Sequence, residues 1–140
     1  MEVFRRMTEN MFGPHLTLDL KGCNKDKLKD LGLIFDLLNT LPDKIGMTKI
    51  TQPYVFPYSG LVPEDKGVTG VIIIAESHIS IHTFEEKDYV FVDIFSCKPF
   101  DYELAAEHLI ETFEAKEVSK NVLKRGLNFP RAKMASMFEA

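Results

Sequence analysis

Two apolar, β-branched runs, Val71–Ala75 and Tyr89–Phe95, bracket a polar cluster holding Glu76, Ser77, His78, Ser80 and His82. Runs of this kind bounded by polar residues read as buried strands. Phe84-Glu85-Glu86-Lys87-Asp88-Tyr89 reads as a turn, so Ile72–Cys97 is expected to form a hairpin. A four-residue loop, Glu85–Asp88, is a common hairpin length. It sets Phe84 opposite Tyr89, His82 opposite Phe91, Ser80 opposite Asp93 and Glu76 opposite Cys97. Opposed residues share a sheet face. His82 and Cys97 are therefore expected on one face, with the Glu76–Ser77 peptide beside Cys97. Alternation puts the Ser77 side chain on the other face, so the backbone must bulge or turn near Glu76–His78 for Ser77 and His82 to meet.

The rest of the chain is built around that hairpin. His15–Lys21 alternates, with Leu16, Leu18 and Leu20 on one face of a half-buried strand. Asn24 is a helix N-cap, and Leu28, Leu31, Ile34, Phe35 and Leu38 follow helical spacing to about Thr40, where Leu41-Pro42-Asp43 ends the helix. Met47–Phe56 reads as a strand in which Pro53 marks an edge or bulge, and Pro57–Gly67 as a loop. Pro99 closes the hairpin, and Asp101 caps a second helix whose apolar face is Leu104, Ala105, Leu109 and Phe113. Lys116–Arg125 is a last strand with Val118 and Val122 inward, ended by Gly126; Leu127–Ala140 carries no clear pattern. One antiparallel sheet with one face covered by two main helices follows: an α+β, two-layer α/β sandwich.

Composition narrows the function classes. At 140 residues and 45% hydrophobic, the chain suits one domain with a real core. A net charge of −4 argues against nucleic acid as a partner. No apolar run approaches membrane-spanning length, and Met1–Phe12 has no hydrophobic signal-peptide region. Cys23 and Cys97 make no disulfide framework, so a reducing cytoplasm is the simplest compartment.

The stretches A-E-S-H-I-S-I-H-T-F-E and F-V-D-I-F-S-C resemble the self-processing, pyruvoyl-dependent S-adenosylmethionine decarboxylases of the short prokaryotic type. The resemblance extends to Gly67-Val68-Thr69-Gly70, to Gly13–Cys23 and to Arg125-Gly126. It implies a sheet backed by helices, assembled as a homodimer of processed protomers. It also implies self-cleavage between Glu76 and Ser77 into chains 1–76 and 77–140, and a pyruvoyl cofactor derived from Ser77. The implied activity supplies the aminopropyl donor for spermidine and other polyamines.

The chemistry fits those residue types. A serine hydroxyl is a weak nucleophile until it is held against an electrophile and relieved of its proton; here the electrophile is the neighbouring Glu76 carbonyl carbon. His82 suits abstraction of the Ser77 α-proton, because imidazole titrates near neutrality, and the resemblance assigns it that role. Thr69 stands where the family usually carries a processing serine, and it keeps the hydroxyl. A thiol can return a proton to the decarboxylated substrate carbon, which is the role the resemblance gives Cys97. The resemblance makes Glu86 a substrate-binding carboxylate suited to ribose hydroxyls. No metal ligand set is expected, and Cys23, His15 and His78 read as structural.

Two departures bear on the substrate. The segment Gln52–Gly60 and the longer loop after it replace a short stretch carrying an adenine-stacking aromatic, so Phe56 or Tyr58 is the candidate for that stacking or for a cation–π contact to the sulfonium. Pro14 stands where an arginine is common. A pyruvoyl-dependent arginine or ornithine decarboxylase fits the same core, and a non-processed regulatory homologue is the reading from another class.

Overall fold

In the computed structural model, which describes residues 10–131, the alternating leucines of the first strand do what their period requires. In β1 (Gly13–Lys21), Leu16, Leu18 and Leu20 are fully buried while His15, Thr17 and Asp19 face the other way, half-buried. Next come α1 (Lys25–Leu28), α2 (Leu31–Lys44), β2 (Tyr54–Tyr58), β3 (Gly67–Ile74), β4 (Ser77–Phe84), β5 (Tyr89–Phe95), α3 (Tyr102–Phe113) and β6 (Glu117–Arg125). The six strands form one antiparallel sheet in the order β2-β3-β4-β5-β1-β6. α2 and α3 bury Ile34, Leu37, Leu38, Leu41, Ala105, Leu109 and Phe113 in the core on one face of the sheet. This is the two-layer α+β sandwich. The opposite face has no helix across it among the described residues. Much of the stretch Met1–Phe12 and the end of Leu127–Ala140 lie outside those residues, at 1–9 and 132–140. Among the described residues no helix is long and apolar enough to cross a membrane.

The hairpin register agrees with the expectation from loop length. Phe84 pairs with Tyr89, His82 with Phe91, and Ser80 with Asp93. Glu85–Lys87 makes a single 3-10 turn, and Asp88 takes a left-handed conformation (φ 53°) to return the chain. The ladder ends at His78–Phe95, so Glu76 and Cys97 do not pair.

Several elements differ from the sequence reading. The run Val71–Ala75 does not continue into the polar cluster as one strand. It belongs to β3, which turns at Ala75-Glu76 through a cis peptide bond and returns as β4, with Ile74 paired to Ser77. The first helix is broken: Asn24 caps the single turn α1, and Asp30 caps α2 afresh by accepting from the Leu33 amide. α2 then runs past Thr40 to Lys44 with Pro42 inside it, because Leu41 and Pro42 are both buried against the core and the next amides reach back to Leu41 and Pro42 carbonyls. β2 starts only after Pro53 and includes Pro57, which an edge strand tolerates. Leu104 points away from the core, and Ala106 takes its place. Val118 lies opposite Leu20, on the helix side, yet stays 41% exposed because β6 is the outer edge of the sheet.

Candidate active site

The site grows from the β3–β4 turn. The Ser77 hydroxyl donates to the Glu76 carbonyl oxygen at 2.7 Å, so the candidate nucleophile already touches the candidate acyl group. Cys97, just beyond β5, points its thiol at the Ala75 carbonyl oxygen, 3.6 Å away. The turn and Cys97 thus sit side by side, although the pairing of β4 with β5 stops short of them. The Cys97 segment is held by β1: the Ser96 amide donates to the Pro14 carbonyl at 3.0 Å. Gly13 packs flat on the same segment, and a β-carbon there would lie 1.8 Å from the Ser96 carbonyl oxygen. Gly13→Ala is therefore expected to push the Cys97 segment away and to cost roughly 1–3 kcal/mol. Denaturant unfolding checks this, and an unchanged midpoint would contradict the packing.

His82 and Thr69 form a second group. They are opposite each other on β4 and β3, with Thr69 Oγ1 3.3 Å from His82 Nδ1. Both line a cavity of about 490 Å³ on the open sheet face, together with Phe56, Tyr58, Leu61 and Phe84. That volume suits a small-molecule ligand. The cavity collects both candidate stacking aromatics but not Glu86, which lies outside its lining and faces Lys66 at 3.5 Å.

The structure does not bring the two groups together. Ser77 and His82 are five positions apart on one continuous strand, a separation of about 16 Å at the ordinary strand rise. They also have opposite parity: His82 faces outward while Ile79 and Ile81, with Ser77's parity, are buried.

A third cluster has no motif of its own in the sequence. Asp93 on β5 accepts from His15 Nε2 at 2.7 Å and His78 Nε2 at 3.1 Å through one carboxylate oxygen, and from the Ser80 hydroxyl through the other. Burial pushes the Asp93 carboxyl up, but the bonds from Ser80, His15 and His78 outweigh it and hold the group below the usual carboxylate range. The pairing of Ser80 with Asp93 was a signal available from loop parity. The approach of His15 was not, because it depends on β1 lying beside β5. The nitrogens and carboxylate lie within 4.8 Å of one another, as metal ligands would. Arg125 Nη1, however, stands 3.1 Å from His15 Nδ1. A guanidinium only donates, so Nδ1 accepts and Nε2 carries the hydrogen, leaving His15 no lone pair for a cation. Cys23 is buried, and burial pushes its thiol up to about 11, which suits a structural role.

Comparison with known proteins bears on the whole arrangement. The sequence model of a family described as S-adenosylmethionine decarboxylase matches residues 14–126. The S-adenosylmethionine decarboxylase proenzyme of Thermodesulfovibrio yellowstonii is 37% identical over 118 residues, covering 82% of both chains. That of Pyrococcus furiosus is 34% identical over 116 residues, covering 82% of this chain and 79% of its own. The crystal structure of the adenosylmethionine decarboxylase from Aquifex aeolicus superposes with a TM-score of 0.72 at 30% identity, over 84% of this chain and 92% of that one.

Proposed function

The chain belongs to the S-adenosylmethionine decarboxylase family, and on that basis we propose that it cuts itself between Glu76 and Ser77 and decarboxylates S-adenosylmethionine. The observation that carries the reading is the Ser77 hydroxyl in contact with the Glu76 carbonyl at the tip of a tight turn. Ser77 Oγ attacks that carbonyl carbon, and the amide becomes an ester with the Ser77 nitrogen released as an amine. A base takes the Ser77 α-proton, the electrons form the Cα–Cβ double bond, and Glu76 leaves as a carboxylate. Water then displaces ammonia from residue 77, which ends as a pyruvoyl group heading chain 77–140. The partly exposed position of Ser77 at a strand end accommodates that group. Its carbonyl supplies the electron sink for decarboxylation. Cys97 returns a proton to the substrate α-carbon. Phe56 or Tyr58 stacks on the adenine in the cavity that Thr69 and His82 also line, and Glu86 takes the ribose hydroxyls.

The α-proton of Ser77 needs a base, and His82 of the same chain is about 16 Å away along the strand. A second copy removes the difficulty. The open sheet face carries Phe56, Ile73, Phe91 and Leu123, each 38–52% exposed, and exposed apolar patches mark interaction surfaces. In the homodimer proposed here this face packs against its equivalent, and Thr69 and His82 of one protomer serve Ser77 of the other around the end of its strand, where the β3–β4 turn leaves Ser77 partly exposed. Co-expression of Ser77→Ala with His82→Ala is the test. Each variant alone stays unprocessed, whereas in mixed dimers the His82→Ala chain is cut, having its own Ser77 and its partner's imidazole. A mixture that stays uncut, or light scattering that finds a fully active monomer, refutes the shared site.

Mass spectrometry of the purified protein, followed by release of carbon dioxide from several substrates, tests the reaction. Two chains split after Glu76, and turnover of S-adenosylmethionine but not of arginine or ornithine, are expected. Turnover of either amino acid instead overturns the substrate, and an intact, inactive chain overturns the reading. The product feeds spermidine synthesis as its aminopropyl donor. The free thiol of Cys97 suits a reducing cytoplasm.

A further inference from the structure

Asp93 has no part in the chemistry above, yet three side chains from two neighbouring strands converge on it. Its register explains why. Asp93 lies directly opposite Ser80 on β4 and Thr17 on β1, and both His78 and His15 sit opposite Phe95, two positions along β5. The two imidazoles therefore reach Asp93 along the diagonals, one from each side. Phe95 lies between them, with ring centroids 5.2 Å from His15 and 5.9 Å from His78. Arg125 of β6 covers Phe95 at 4.4 Å and donates to His15. A hydrogen-bonded row thus crosses four strands, from Arg125 through His15 and Asp93 to His78.

We propose that Asp93 is the positioning residue for the chain end that self-cleavage creates: by holding His78 it keeps the pyruvoyl-bearing residue 77 in place once the turn is cut. The inference rests on the cleavage reading. Before cleavage, residue 77 is tied on both sides, by the Ala75-Glu76 turn and by its pairing with Ile74. Cleavage removes the first tie. It also weakens the second, because the nitrogen of residue 77 leaves as ammonia and takes its backbone donor with it. Free strand ends fray. His78 is the first residue of the new chain with a complete backbone, paired to Ile73 and Phe95, and its imidazole is anchored to Asp93. The anchor is itself fixed from the far side by His15, which belongs to chain 1–76, so the row also joins the two pieces. Because Arg125 makes His15 Nε2 a donor, Asp93 receives hydrogens from both histidines rather than competing with a lone pair.

The test compares Asp93→Ala and His78→Phe with His78→Gln, whose amide can reproduce an Nε2 donor. Each is made with the active chain and with Ser77→Ala, which stays uncut. Hydrogen exchange is read at residues 78–81, and kcat and KM are measured on the cleaved enzymes. Asp93→Ala and His78→Phe are expected to keep wild-type protection while uncut and to lose it once cleaved, with kcat falling about 10- to 100-fold, since displacement by an ångström can cost that much. His78→Gln should restore most of both. Loss of protection in the uncut forms as well would mean an ordinary structural bond and overturn the proposal. Wild-type protection and kcat in cleaved Asp93→Ala would overturn it too, leaving the cleavage reading intact. Wild-type protein that never cleaves overturns both.

Discussion

Ser77→Ala is expected to leave the protein as one uncut chain without decarboxylase activity, whereas wild type should run on a denaturing gel as chains 1–76 and 77–140. The expectation follows from covalent chemistry alone. Without the hydroxyl no ester forms, no elimination follows and residue 77 keeps its nitrogen. Folding should be nearly untouched: Ser77 is half-buried at a strand end, and its hydroxyl bonds the carbonyl next to it in the chain. A change of this kind usually stays within about 0.5 kcal/mol. Equal thermal unfolding of Ser77→Ala and of freshly made, uncut wild type would show that chemistry, not stability, was lost. A Ser77→Ala protein that still splits after Glu76, or still releases carbon dioxide, would remove Ser77 from its place at the centre of the site.

Cys97→Ala and His82→Ala should fail at different steps. Cleavage needs a nucleophile and a base for the Ser77 α-proton, and in the proposed reaction these are Ser77 and His82, not the Cys97 thiol. Its contact with the Ala75 carbonyl is a single long bond to sulfur, so the turn should persist without it. Turnover does need a donor, because the decarboxylated carbon must be protonated at the correct atom. A proton delivered instead to the cofactor side converts that group to an amine and ends activity. Cys97→Ala is therefore expected to cleave at least partly, then lose turnover by about 100-fold or inactivate within a few cycles, in keeping with the 10²–10⁴-fold worth of a placed proton donor. His82→Ala should stall earlier, as an ester that hydroxylamine splits between residues 76 and 77. Gel analysis with and without hydroxylamine, together with carbon dioxide release, separates the two. Near wild-type turnover and cofactor lifetime in Cys97→Ala would assign the donor role to another group.

Much of the framework was legible in the sequence. Alternation at Leu16, Leu18 and Leu20 gave β1 and its buried face, and the short Glu85–Asp88 loop gave the register of β4 on β5 down to Ser80 and Asp93. The boundary between β3 and β4 was not legible. Val71–Ala75 is apolar throughout, including Ile73 on the open face, so the change from apolar to polar at Glu76 looked like a change of environment along one strand. It was a change of strand. Leu104 and Val118 are exposed for a related reason: periodicity fixes which way a side chain points relative to its neighbours, but not how far the covering layer extends.

The sequence by itself determined the adjacency of the proposed reactive pair and the register of β4 on β5. Ser77 and the Glu76 carbonyl are covalent neighbours, so no fold can separate them, and loop parity is a property of a few adjacent residues. Tertiary structure alone decided what surrounds that pair. The order β2-β3-β4-β5-β1-β6 brings Thr69 to His82, and His15 and Arg125 to Asp93, joining residues up to 110 positions apart. It also holds His82 a strand's length from the Ser77 of its own chain. Such neighbours are chosen by how the whole apolar surface is buried against α2 and α3, and that choice is spread over every strand rather than written at any one of them.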